Sequence, residues 1–246
     1  MNDKLQAHTY MSQPPPPVGF DQATANNYDR HWTKLAPLRD AQHVLIAAIL
    51  ADLPDTAHIL CVGVGTGHEL FALAERFPNW CFTAVEPSAP MLTVCRNKAA
   101  AAGISDRCTF HEGYLDTLPL AEQPYDAATA LLVSQFLLER SARVAFFAEI
   151  AARLRSDGIF VNADLSGDVR SDEYSDVLDV WIRMMRGADI PAENAERLRT
   201  VYERQVAVRP VAETTEMIVE GGFTTPRAFY QAGLIHAWFA RRLPSI

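Results

Sequence analysis

Apolar residues along the chain fall into blocks of two kinds. The brief, nearly continuous blocks are residues 58–62 (HILCV), 80–85, 108–111, 127–133 and 159–163. Runs of that length, bounded by Gly, Pro or Asp, suit strands buried on both faces of a parallel sheet. Between them lie segments 69–77, 91–102 and 142–154, ended by Pro78, by Gly103 and by the turn Ser156-Asp157-Gly158. Their apolar positions recur every three or four residues, which gathers the side chains on one stripe of a helix. The alternation predicts an α/β fold, with a parallel sheet covered by helices on both sides.

The two ends of the chain depart from this rhythm. Residues 1–19, with prolines from Pro14 to Pro17, read as a loose Pro-rich tail. Residues 20–53 read as helical, with a second apolar run at 43–50, and are expected to form a cover ahead of the first strand. After the fifth strand, residues 174–185, 192–206 and 211–219 read as helices. Two strand-like runs, 223–231 and 234–241, then flank Ala232-Gly233 in hairpin fashion. The expected architecture is a Rossmann-like three-layer sandwich with a seven-stranded, mostly parallel sheet and an antiparallel last strand. Residues 20–246 form its single domain, carrying a helical insertion at 167–210.

Composition narrows the class. The chain has 246 residues, 49% hydrophobic content and a net charge of −8, the profile of a globular enzyme rather than a disordered chain. The acidic balance, with no basic patch beyond Arg241-Arg242, argues against a nucleic-acid partner. No apolar run reaches membrane-spanning length, and the N-terminal residues have no apolar signal core, so a cytoplasmic protein without a membrane contact is expected. Cys61, Cys81, Cys95 and Cys108 have neither CxxC spacing nor a nearby His pair, so no metal site is expected and they read as buried, reduced thiols.

The chemistry begins at Val62-Gly63-Val64-Gly65-Thr66-Gly67. A strand running through close-set glycines into a helix lets the backbone approach a ligand without β-carbons in the way, and the helix start offers free N–H groups. A dinucleotide fingerprint would need glycine where His68 stands; GxGxG suits a ligand without a pyrophosphate. Glu86 ends the next strand, where a carboxylate can accept from both hydroxyls of a ribose. Loop and acid together describe a nucleoside with a non-phosphate tail.

The order of motifs around this loop resembles the class I S-adenosylmethionine-dependent methyltransferases. ILCVGVGTGHEL is similar to their first motif and TAVEPSAPML to the second. FHEGYLDTLP resembles the adenine-side loop, PYDAATALLVSQFL the fourth-strand motif and LRSDGIFVNADLS the fifth-strand motif. The likeness covers residues 20–166 in order and spacing. It implies S-adenosyl-L-methionine as cofactor, held by Gly63, Gly65, Thr66, Gly67, Glu86, Pro87, Met91, Gly113, Tyr114, Leu132 and Val133. It implies transfer of the sulfonium methyl group, in line, to a small molecule. Three departures stand out. The first motif usually has an acidic residue where Cys61 or Val62 stands. Tyr114 replaces the usual Asp or Asn, with Asp116 as a substitute, and Ser156-Asp157-Gly158 replaces a PGG turn.

FDQATANNYDRHW is similar to the N-terminal FDxxAxxYD helix of small-molecule methyltransferases, in which the tyrosine faces the reacting centre; Tyr28 is therefore a candidate catalytic residue. Gln135, after the fourth strand at the carboxyl edge of the sheet, is the other. Ser134, Asp164, Tyr174, Trp181 and Arg199 are candidate substrate contacts at the same rim or in the insertion above it. Two other readings stay open. LLVSQFLLERSAR is similar to the strand-four region of carboxy-S-adenosylmethionine synthases, and other members of the fold transfer or cyclise the aminobutyrate chain. A non-catalytic cofactor-binding module is the remaining one. Oligomeric state is not encoded legibly, and a homodimer is compatible with the sequence.

Overall fold

The computed structural model describes residues 25, 28–30, 33–187, 200–202 and 206–244. Helix α1 (Ala36–Leu50) precedes the alternation β1 (His58–Val62), α2 (His68–Arg76), β2 (Cys81–Glu86), α3 (Ala89–Ala101) and β3 (Cys108–Glu112). The chain continues through β4 (Tyr125–Leu131), α4 (Arg140–Arg153), β5 (Leu154–Leu165) and α5 (Asp172–Gly187) to α6 (Val211–Glu220), β6 (Arg227–Ala232) and β7 (Ile235–Arg241).

The strands form one sheet in the order β3-β2-β1-β4-β5-β7-β6. Pairing is parallel from β3 to β5. Strand β7 runs antiparallel to both β5 and β6. The chain winds outward from β1 to β2 and β3, then returns to add β4 on the other side. That reversal opens a crevice at the carboxyl ends of β1 and β4, where open α/β sheets bind ligands.

Strict alternation along the strands explains the layers. Ile59 and Cys61 of β1 enter one apolar cluster with Ile46 and Leu50 of α1, Leu70 and Leu73 of α2, and Leu92 and Cys95 of α3. Leu60 and Val62 face the opposite side, against Phe147 and Ile150 of α4 and Met217 and Ile218 of α6. A third cluster joins Leu178, Trp181, Ile182 and Met185 of α5 to Leu165 and Leu234 at the end of the sheet.

Several local expectations are corrected. Strand β4 stops at Leu131, not Val133, because Leu132 takes a left-handed φ of 60° that ends the extended run. Residue 154 belongs to β5 rather than to the helix: Leu154 pairs with Tyr125, and the Ser156-Asp157-Gly158 turn is a bulge before Ile159 pairs with Ala127. Strand β6 begins at Arg227, later than its apolar run. Helix α1 packs on the sheet through Ile46 and Leu50, both wholly buried in the first cluster. Cys81 is exposed at the first position of β2 and Cys108 is half-buried; only Cys61 and Cys95 are buried, all four as free thiols. Residues 1–19 and most of the expected helix at 192–206 lie outside the described residues, of which 200–202 are helical.

Candidate active site

The glycine loop is held against β2 by its own backbone. Gly63 N–H and Val64 N–H both donate to Val85 O, at 2.8 and 3.1 Å. The chain then turns through Gly65, at a φ of +55° that favours glycine. Among the described residues, a β-carbon added there would meet only the Met91 methyl, at 3.6 Å, so against them the loop keeps an open face. Gly67 is the N-cap of α2, in the left-handed conformation.

Glu86 turns back over this loop from the end of β2. Its Oε2 accepts from Gly65 N–H and its Oε1 from Ser88 N–H, both at 2.9 Å. The side chain is 8% exposed. Burial raises the carboxyl pKa, and the two N–H donors work against that rise. The Ser88 side chain caps α3 and sets Met91 one turn along, beside Gly65. From β3, Gly113 N–H donates to Glu86 O at 3.1 Å. Tyr114 follows, half-buried, its hydroxyl pKa raised by burial and by the charge of Glu86. Gly63, Gly65, Gly67, Glu86, Pro87, Met91, Gly113 and Tyr114 thus meet at one end of the sheet, while Asp116 is exposed beyond them. Val133 packs on Gly63.

This arrangement passes a test of fit for a nucleoside. A buried carboxylate edges a glycine-rich stretch of backbone, with a thioether packed alongside Gly65. Among the described residues, no group of His, Cys, Asp and Glu is placed to hold a metal ion.

Sequence reasoning missed Glu69, in the first turn of α2. It is 7% exposed and its carboxyl is pushed up to about 7, by burial first and then by the charge of Glu86. The signal was present: an acid followed by Leu70 and Phe71 directly after a ligand loop. Tyr28 lies within the field of both acids. Burial, then Asp29, Glu69 and Glu86, push its hydroxyl up to about 12, so the side chain is a neutral phenol, able to donate a hydrogen bond but not to act as a base at neutral pH.

The Thr66 side chain is 1% exposed, and its hydroxyl donates to Asp29 Oδ1 at 2.7 Å. Ser134, Gln135 and Asp164 lie together at the exit of β4. Asp164 is wholly buried and accepts from Ser134 Oγ at 2.6 Å, Asn162 Nδ2 at 2.8 Å and Gln135 N–H at 3.0 Å. Gln135 Oε1 in turn accepts from Leu165 N–H at 2.9 Å, and Leu132 N–H donates to Ala163 O at 2.7 Å. These groups brace the exit of β4 against β5.

Trp181 is likewise structural in its surroundings, 4% exposed, with its indole N–H donating to Tyr202 Oη at 2.8 Å. The Tyr174 ring packs on Gly167 at the start of the insertion. Arg199, His31 and Trp32 lie outside the described residues.

Sheet order and the glycine loop after β1 define a Rossmann-like fold. Residues 59–158 match the methyltransferase-domain family. A search among curated proteins finds no match. Among solved structures, the chain resembles a provisionally named O-methyltransferase from Nostoc punctiforme, with 16% identity and a TM-score of 0.65 over 90% of this chain and 59% of that one. It resembles an O-methyltransferase family 2 protein from Planctomyces limnophilus, crystallised with apigenin, at 15% identity and a TM-score of 0.62 over 94% of this chain and 63% of that one. A third likeness is to a provisionally named sarcosine dimethylglycine methyltransferase from Galdieria sulphuraria, at 14% identity and a TM-score of 0.64 over 90% of this chain and 98% of that one. The chain therefore spans about three fifths of the two O-methyltransferase structures and nearly all of the third. Residues 59–158 thus carry a methyltransferase domain, and the structural likenesses show its fold. These matches lend no support to the carboxy-S-adenosylmethionine synthase likeness.

Proposed function

We propose that the protein binds S-adenosyl-L-methionine at the Gly63–Gly67 loop and transfers its methyl group to a small molecule. The observation that carries this reading is the Glu86 carboxylate, buried and held 2.9 Å from Gly65 N–H at the open face of the loop. Each oxygen has lone-pair capacity left for a ribose hydroxyl. Gly65 lets the amino-acid end lie on bare backbone, and Met91, Gly113 and Tyr114 border the adenine side. The bound cofactor supplies an electrophilic sulfonium methyl group, so the protein's tasks are alignment and exclusion of water. Tyr28 serves both as a protonated donor and as an aromatic face toward a cation. The names of the structural neighbours suggest the acceptor classes to test first, a free hydroxyl or a sarcosine-like amine. No nucleic-acid or membrane partner is part of this reading, and no described helix is long and apolar enough to cross a membrane.

Titration calorimetry with S-adenosylmethionine and S-adenosylhomocysteine tests the site. Wild type should bind both, and Glu86→Ala, shown by circular dichroism to be folded, should bind roughly ten- to a hundredfold more weakly through loss of charged acceptors. Equal affinity in the two proteins would remove Glu86 from the site. Incubation with cofactor and candidate acceptors, followed by mass spectrometry, tests the reaction: S-adenosylhomocysteine as coproduct supports methyl transfer. Methylthioadenosine instead would move the reaction to the aminobutyrate chain.

A further inference from the structure

Three donors from three elements converge on one carboxylate beside the glycine loop. Asp29 receives the Thr66 hydroxyl at 2.7 Å, His68 Nε2 at 2.8 Å and Lys98 Nζ at 3.1 Å. Thr66 belongs to the loop, His68 opens α2 and Lys98 lies on α3. Arg39 Nη1 of α1 stands 3.2 Å from the same His68 nitrogen. That nitrogen cannot donate to Asp29 and accept from Arg39 at once, and the shorter contact assigns its hydrogen to Asp29. Burial alone would raise the Asp29 carboxyl, but the Thr66 hydrogen bond and the charge of Lys98 outweigh it and hold the pKa below its ordinary value.

We infer that Asp29 is a positioning residue that fastens Tyr28 to the glycine loop through the Thr66 hydroxyl, so that the loop and its cover hold a ligand as one unit. The inference rests on the reading of that loop as a nucleoside cofactor site. Residues 28–30 are helical, so anchoring Asp29 also sets where its neighbour Tyr28 stands. Tyr28 in turn lies within the fields of Glu69 and Glu86, one on each side of the loop. An exposed ion pair by itself would do little here, because the Asp29 side chain is 41% exposed and Lys98 is 32% exposed. Thr66 changes that balance. Its hydroxyl is enclosed, and removing Asp29 strands it without the acceptor it now has. The contact bridges 37 positions of sequence, so it is a tie between separate segments and not a local turn.

The test uses the full chain with S-adenosylhomocysteine as probe. Asp29→Ala and Thr66→Val should each raise the dissociation rate roughly tenfold and leave association nearly unchanged, as losses within one interface usually do. The double variant should be no worse than the poorer single one, because both remove the same tie. Without ligand, amide exchange at residues 25–35 should quicken in both variants. Should Asp29→Ala fail to fold, Asp29→Asn, which still accepts from Thr66, is expected to retain most of the slow dissociation while losing the pairing with Lys98. Unchanged exchange would overturn the tie. Quickened exchange with an unaltered dissociation rate would overturn the positioning role and leave a structural contact. If wild type binds neither probe nor cofactor, the cofactor reading fails, and the exchange data still decide whether Asp29 ties the segments together.

Discussion

Val133 leans directly over Gly63: its Cγ2 stands 2.5 Å from where a β-carbon on that glycine would lie. Gly63 also holds a φ of +64°, so the site resists a side chain on two grounds. Gly63→Ala should lose about 3 kcal/mol of stability, combining left-handed strain of about 1–2 kcal/mol with overpacking of about 1–3 kcal/mol. Urea denaturation reads the loss directly. A midpoint equal to wild type would mean that Val133 and the loop yield without cost.

Glu69 makes stability depend on pH. Its folded carboxyl titrates near 7, against an ordinary 4.5, so the folded state holds a proton that the unfolded chain has already released. Stability therefore falls as pH rises from about 4.5 to about 7 and stays lower above that window. Glu69→Gln should stabilise the ligand-free protein above pH 7 by up to about 3 kcal/mol, and much less near pH 5. Denaturation midpoints for both proteins at the two pH values test this. A difference that does not change with pH would show that Glu69 is ionised in the folded protein throughout.

Tyr28 should matter for turnover more than for affinity. On the proposed binding mode, Glu86 and the loop backbone would still hold the nucleoside in Tyr28→Ala, whereas the aromatic face and hydroxyl of Tyr28 would be lost. With a hydroxyl pKa near 12, Tyr28 contributes no ionisation around neutral pH. Once an acceptor is found, Tyr28→Phe should therefore share the wild-type pH–rate profile, and Tyr28→Ala should lower kcat more than it raises the cofactor Kd. A profile limb lost in Tyr28→Phe would point to a proton-transfer role instead.

Asp164 should behave as a structural acid. Its removal leaves Ser134 Oγ, Asn162 Nδ2 and Gln135 N–H without the acceptor they share. Asp164→Ala should cost about 3 kcal/mol in thermal or urea unfolding, the scale of a buried polar network broken at one partner. A stability within about 0.5 kcal/mol of wild type, the range of an ordinary surface change, would instead free Asp164 for a substrate role.

Some of this protein was legible without coordinates because the causes are local. Continuous apolar runs such as HILCV can only be buried on both faces, and spacing three or four apart commits a segment to one helical stripe. GxGxG followed by Glu86 at the end of the next strand has its meaning within one β-α-β unit, where neighbouring elements pack in sequence order. Tertiary structure decided the rest. The end of β4 depends on how Leu132 is pulled toward Ala163 of β5, a neighbour the pattern of residues 127–133 cannot announce. That Ser134 and Asp164 meet in a hydrogen bond across 30 positions is likewise set by the fold, which brings the ends of β4 and β5 side by side. The sequence pattern assigns no role to Glu69 or Asp29. Burial gave the first its raised pKa, and convergence of the loop, α2 and α3 gave the second its partners; neither burial nor convergence is a property of any single stretch of sequence.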